Sequence, residues 1–163
     1  MAKIARKLLA HFINADKTGS TAVYERLGSD LEEFSPELSA EVESTKNILG
    51  ETSIKISSYT KTASVEPYYA DSGTKLYERL QGIIDNDLVL DDLKADVVDV
   101  KLWEEASPEN SYPAVKEEVM IEVVSYGGDT TGYQIPFNLH YTGVKTAGTF
   151  NISTKTFTPA GAD

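Results

Sequence analysis

The chain has 163 residues, 40% of them hydrophobic, with 26 acidic against 15 basic residues and a formal net charge of −11. That length suits one domain over residues 1–163, large enough to bury roughly 70% of its unfolded surface. The absence of cysteine excludes a disulfide framework, thiolate metal sites and a thiol nucleophile. The acidic balance argues against specific nucleic-acid binding, which depends on clustered Lys and Arg, and no basic run follows Lys3–Lys7.

The N-terminal stretch MAKIARKLLAHFINADK has a basic start, but its apolar run is broken by His11 and Asn14. It is too short to span a bilayer and lacks the apolar segment and cleavage site of a secretory leader, so a chain without membrane association is expected. Residues 4–13 have ambiguous apolar spacing and read best as a strand ending at Ile13, followed by an extended polar loop over about 14–23. Tyr24–Leu27 is a short apolar piece closed by Gly28. Leu38, Ala40 and Val42 alternate with Ser39, Glu41 and Glu43, a strand with one solvated acidic face.

Ile48 to Glu51 reads as a turn into the strand SIKISSYTKTASV (53–65), rich in β-branched residues and Ser. EPYYADSG (66–73) is a Pro-initiated loop. Asp71 or Ser72 is the expected cap of a helix to about Asp85, with Leu76, Leu80, Ile83 and Ile84 on one stripe. After an acidic, turn-like stretch to Asp96, Val98, Val100 and Leu102 mark another strand. EEASPENSYP (104–113) is the clearest loop.

Residues 114–150 form the longest patterned stretch, two alternating strands joined across SYGGDTTG. Val119, Ile121 and Val123 share one face of the first, with Glu118 and Glu122 on the other. In the second, Tyr133, Ile135, Phe137, Leu139 and Tyr141 share a face opposite Gln134, Asn138, His140 and Thr142. TFNISTKTF (149–157) reads as a last strand. Seven or eight strands and one flanking helix predict a mainly β fold, a β-sandwich or a barrel-like variant.

No pattern for catalysis or cofactor binding emerges. His11 and His140 fit no zinc-binding spacing, no Ser lies in a GxSxG elbow, and no glycine pair is followed by the Lys-Ser/Thr of a phosphate loop. The densest acidic run, DNDLVLDDLKAD, holds Asp85, Asp87, Asp91, Asp92 and Asp96. It lacks the order of a calcium loop, because Leu88, Val89 and Leu90 interrupt the carboxylates. Tyr68 and Tyr69 have the chemistry to stack on sugars, although packing is the commoner use of such residues. A structural or interaction protein, not an enzyme and without cofactors, is the expectation.

The stretch from Lys46 to Ile84 carries a resemblance. NILGE before a strand, the EPYYADSG loop preceded by Thr60, and the helix from Lys75 to Ile84 resemble the major tail tube proteins of long-tailed bacteriophages and prophages. Gly143-Val144, Gly148-Thr149-Phe150 and Phe157-Thr158-Pro159 resemble that family's closing strand, and the similarity runs from about Leu8 to Pro159. The resemblance implies a β-sandwich that assembles as hexameric rings stacked into a hollow tail tube within the virion. The subunit would be made in the bacterial cytoplasm, with tape measure, tail tip and terminator proteins as partners and double-stranded DNA passing through the lumen unbound. On that reading Glu118 and Glu122 are the candidate lumen-facing residues, and Glu104, Pro108, Tyr112 and Pro113 mark a candidate intersubunit loop. Another head–tail component, such as a terminator or decoration protein, and a monomeric carbohydrate-binding or adhesin module are the alternatives.

Overall fold

The computed structural model describes residues 2–16 and 22–161. The chain is mainly β, an eight-stranded antiparallel sheet with one helix. In chain order the elements are β1 (Leu9–Asn14), β2 (Tyr24–Leu27), β3 (Glu37–Lys46), β4 (Thr52–Val65), α1 (Lys75–Asn86), β5 (Lys94–Lys101), β6 (Ser111–Val123), β7 (Gly127–Asp129), β8 (Gly132–Gln134), β9 (Phe137–Asn151) and β10 (Thr156–Pro159). The sheet order is β2-β1-β5-β6-β9-β4-β3, with β10 also paired to β9, while β7 and β8 form a separate small ribbon.

The sheet is covered on both faces where β1, β5, β6 and β9 meet. On one face, Ile13, Val97, Val119, Ile121, Leu139, Phe137, Ala63 and Val65 pack beneath Leu76, Leu80 and Ile83 of α1. On the other, Phe12, Tyr24, Val98, Val100, Ala114 and Phe150 form a second cluster. The Tyr24 and Phe150 rings lie 5.5 Å apart, edge to face. In a flat sheet, strands four places apart would be separated by about 19 Å. The sheet is therefore curled, and the curl brings β2 over β9 across the second cluster, which makes the arrangement sandwich-like.

Several predicted boundaries move. The helix starts at Lys75 and is capped by Thr74, whose hydroxyl accepts from Tyr77 N, and not by Asp71 or Ser72. Glu25 on β2 adds a second cap, accepting from Lys75 N at 2.8 Å and Leu76 N at 3.3 Å, which suits a carboxylate at the positive end of a helix. Asp71 instead accepts from Gly73 N within the preceding loop. Residues 149–157 are not one strand: β9 runs to Asn151, whose side chain accepts from Ser153 N and Thr154 N, and that turn reverses the chain into β10. The link between β6 and β9 contains the ribbon β7–β8, so Tyr133 belongs to β8 and is exposed, unlike Ile135, Phe137 and Leu139.

Candidate functional site: a projecting β-arm and an acidic sheet face

β4 has 14 residues, yet only 62–65 pair with β9. The remaining ten, 52–61, pair only with β3, and the exposed residues 52–60 extend beyond the body by about 30 Å. Every residue of β3 and all of 52–60 are exposed. A two-stranded ribbon of this kind is marginal in water unless something covers it.

The ribbon is strongly two-faced. Antiparallel partners share a face, so the pairs Leu38–Lys61, Ala40–Tyr59, Val42–Ile56 and Ser44–Ile54 define one side. Glu37–Thr62, Ser39–Thr60, Glu41–Ser58 and Glu43–Lys55 define the other. A β-bulge keeps these sets apart: the register steps from Ser58 to Ile56 against Glu41 and Val42, leaving Ser57 unpaired. Were Ser57 to oppose Val42 in a regular ladder, Ile54 and Ile56 would point to the polar side, because a one-residue slip inverts a strand. As built, Leu38, Val42, Ile54, Ile56 and Tyr59 form an apolar row, each more than half exposed. Ile48 and Leu49 at the tip are exposed as well.

Where the arm leaves the body, a buried ion pair secures it. Lys61 Nζ lies 2.8 Å from Glu117 Oε1 and 4.5 Å from the centre of the Tyr141 ring. Lys145 approaches the same carboxylate at 3.8 Å. Burial pushes the Tyr141 phenol far above its ordinary pKa, and the nearby Asp99 and Glu117 carboxylates push it further. The phenol thus stays neutral beside the Lys61–Glu117 pair.

The polar side of the arm continues onto the body. The partners Glu37–Thr62, Thr62–His140, His140–Met120 and Met120–Lys94 make one lateral row across β3, β4, β9, β6 and β5. Beside it run Ser64–Asn138 and Asn138–Glu122. Glu118 and Glu122 therefore occupy the same face as Glu37, Glu41 and Glu43, as their alternation implied. Glu122 Oε1 lies 2.7 Å from His140 Nε2 and accepts from Asn138 Nδ2 at 3.2 Å. These bonds, His140 first, hold its carboxyl below the usual range. Glu118 accepts from the Thr142 hydroxyl at 3.0 Å.

The other expected site residues separate. Glu104 and Pro108 lie in an exposed irregular segment before β6, closed by Ser107 N donating to Ser111 O and Ser111 N to Pro108 O. Tyr112 and Pro113 are not loop residues: both are in β6, opposite Phe150 and Thr149, and Tyr112 packs on the second core cluster. Of the 14–23 loop, residues 17–21 lie outside the described residues; at its base Ala15 N donates to Val23 O.

His11 is buried against β5. Arg6 Nη2 is 2.9 Å from its Nε2, and Arg can only donate, so Nε2 accepts and Nδ1 is left to donate to Asp99 at 2.6 Å. This chain ties the N-terminal segment to the sheet. Tyr68 packs edge-on to Phe137, and the Tyr69 hydroxyl is 3.3 Å from that of Thr131. Among the described residues no group of three or more His, Asp or Glu is arranged to hold a metal ion, and no helix is long and apolar enough to cross a membrane.

The arm was missed because alternation signals two-sidedness and not cover. Length gave no signal either, since β6 and β9, with 13 and 15 residues, are as long as β4 and stay paired with each other in the body. No protein-family model matches the chain, and no curated protein matches its sequence.

Proposed function

We propose that this chain is a structural subunit that assembles with copies of itself into closed rings, stacked as a tube of the phage-tail type that conducts double-stranded DNA. The observation that carries the reading is the arm: an exposed ribbon with a continuous apolar row on one side and, on the other, an acidic face that runs onto the body. Monomeric proteins rarely leave so large a contiguous apolar surface in water. Both long edges of the arm also carry unpaired backbone groups, which invite strand addition. A second copy covers both, and a head-to-tail contact that closes by rotation makes a ring.

The acidic face then lines the channel. It combines Glu37, Glu41, Glu43, Glu118 and Glu122 with Lys55 and Lys94. A net negative wall repels the phosphate backbone and lets a duplex slide without gripping it. The wall strands β3, β4, β9 and β6 number four per copy, so the six copies implied by the resemblance provide about 24, beyond the 16–18 strands that already leave an aqueous channel. No reaction is required of any residue, and the natural setting is a virion tail with tape measure, tip and terminator proteins as neighbours.

Electron microscopy and sedimentation of the purified protein test this. Hollow tubes or six-fold rings are expected, and Ile54→Ser with Ile56→Ser should abolish them while leaving the folded monomer within about 0.5 kcal/mol of wild type. A chain that stays monomeric at high concentration and binds glycans would instead support the carbohydrate-binding module.

A further inference from the structure

The β1–β5 pair has chemically opposite ends. β1 and β5 are antiparallel, with Leu9 opposite Lys101 and Ile13 opposite Val97. At the Leu9 end lies a groove of about 600 Å³ with an apolar floor of Leu9, Leu27, Leu31 and Phe34. Arg6, Lys7 and Arg26 rim it, with Glu32 as the one opposing carboxylate. Basic side chains are scarce in this protein, so three at one groove make a local exception to its net charge of −11.

At the other end, about 24 Å away along the strand, the chain enters β5 through a short protrusion. Val89 and Leu90 are 62% and 75% exposed and are followed by Asp91 and Asp92. Leu90 sits in a left-handed backbone conformation with φ of 57°, which a bulky residue adopts at a cost. The turn thus holds two apolar side chains in water and two carboxylates beside them. Lys94 lies 3.3 Å from Asp91, the one ion pair at the tip. The surrounding pocket adds Asp96 and Glu118 to the acidic side.

We infer that these two ends fit each other in successive copies: Val89 and Leu90 of one copy enter the Leu27–Phe34 groove of the next, and Asp91 and Asp92 meet Arg6, Lys7 and Arg26. The occupant is a second copy because the protrusion offers what the groove lacks, apolar tips followed directly by negative charge. The surfaces differ, so the contact is head-to-tail, and because they lie at opposite ends of the β1–β5 pair it repeats along the strand direction. It is the axial contact of a stack, whereas the arm makes the lateral one. This deepens the assembly reading and rests on it for the ring, but the pairwise contact stands on its own geometry.

The chain has no cysteine, so paired single-cysteine variants report the contact cleanly. Leu90→Cys and Ser29→Cys are both at exposed positions, Ser29 on the groove wall. Mixed in equal amounts and mildly oxidised, the full-length variants should give at least fivefold more mixed dimer than either gives homodimer. Adding Asp91→Lys and Asp92→Lys to the Leu90→Cys chain should remove that excess. Lys7→Glu and Arg26→Glu in the Ser29→Cys chain should restore it; Arg26 donates to Lys7 O, so Lys7→Glu alone serves as the milder companion. Rings with no excess of mixed dimer would overturn the axial contact and leave the ring reading standing. Mixed dimers without rings would support the contact and overturn the ring, and a sample with neither would overturn both.

Discussion

The body and the arm are built from the same sheet and obey opposite rules. In the body, β1 and β5 bury residues on both faces, so Ala10 and Phe12 serve one core and Ile13 the other. In the arm, β3 and the outer part of β4 bury neither face. The body is complete within one chain. The arm has the alternation of a core strand and no core within its own chain.

The contrast can be broken first in the body. Phe150 is fully buried and touches both Phe12 and Tyr24, so Phe150→Ala should cost about 3–5 kcal/mol and shift the urea midpoint of the whole sheet. A shift as small as that of an exposed substitution would mean the curl is not held by this cluster. The junction comes next. Lys61→Met leaves the buried Glu117 with only the distant Lys145 and should destabilise by about 3 kcal/mol, with Glu117→Gln on the same background recovering much of the loss.

On the arm the effect on folding should nearly vanish while the effect on assembly grows. Inserting one Ser between Glu41 and Val42 gives Ser57 a partner, removes the bulge and turns Val42, Ile54 and Ile56 toward the acidic side. The expected result is an unchanged thermal midpoint within about 0.5 kcal/mol and loss of rings by microscopy. Rings that survive the insertion would show that the apolar row is not the contact. The smallest effect lies on the polar face. The folded Glu122 carboxyl sits below its ordinary value of 4.5 because His140 and Asn138 bind it, so its contribution is present above that value and lost as pH falls through the lower one. Glu122→Gln should therefore flatten the acid limb of the stability curve by less than about 1 kcal/mol, measured by thermal unfolding between neutral and acidic pH.

Much of the fold was legible. The stripe of Leu76, Leu80 and Ile83 predicted the helix and its buried side, and the alternation of Val119 and Ile121 against Glu118 and Glu122 predicted their two faces. Boundaries set by competing caps were not: Thr74, not Asp71, starts the helix because Glu25 from a distant strand fixes where its first amides point. Tyr112 and Pro113 looked like loop residues for their neighbours, yet pairing with Phe150 and Thr149 drew them into β6.

Local pattern by itself determined which residues alternate, where the helix stripe lies and that the chain is acidic, because these depend on periods of two and 3.6 residues and on composition alone. Only the tertiary structure decided which alternating strands receive a cover. Phe137 and Ile56 are read alike along the chain, but one lies beneath α1 and the other projects beyond the last strand able to shelter it. Burial is a property of what stands opposite, and what stands opposite Ile56 is not supplied within this chain's own sheet.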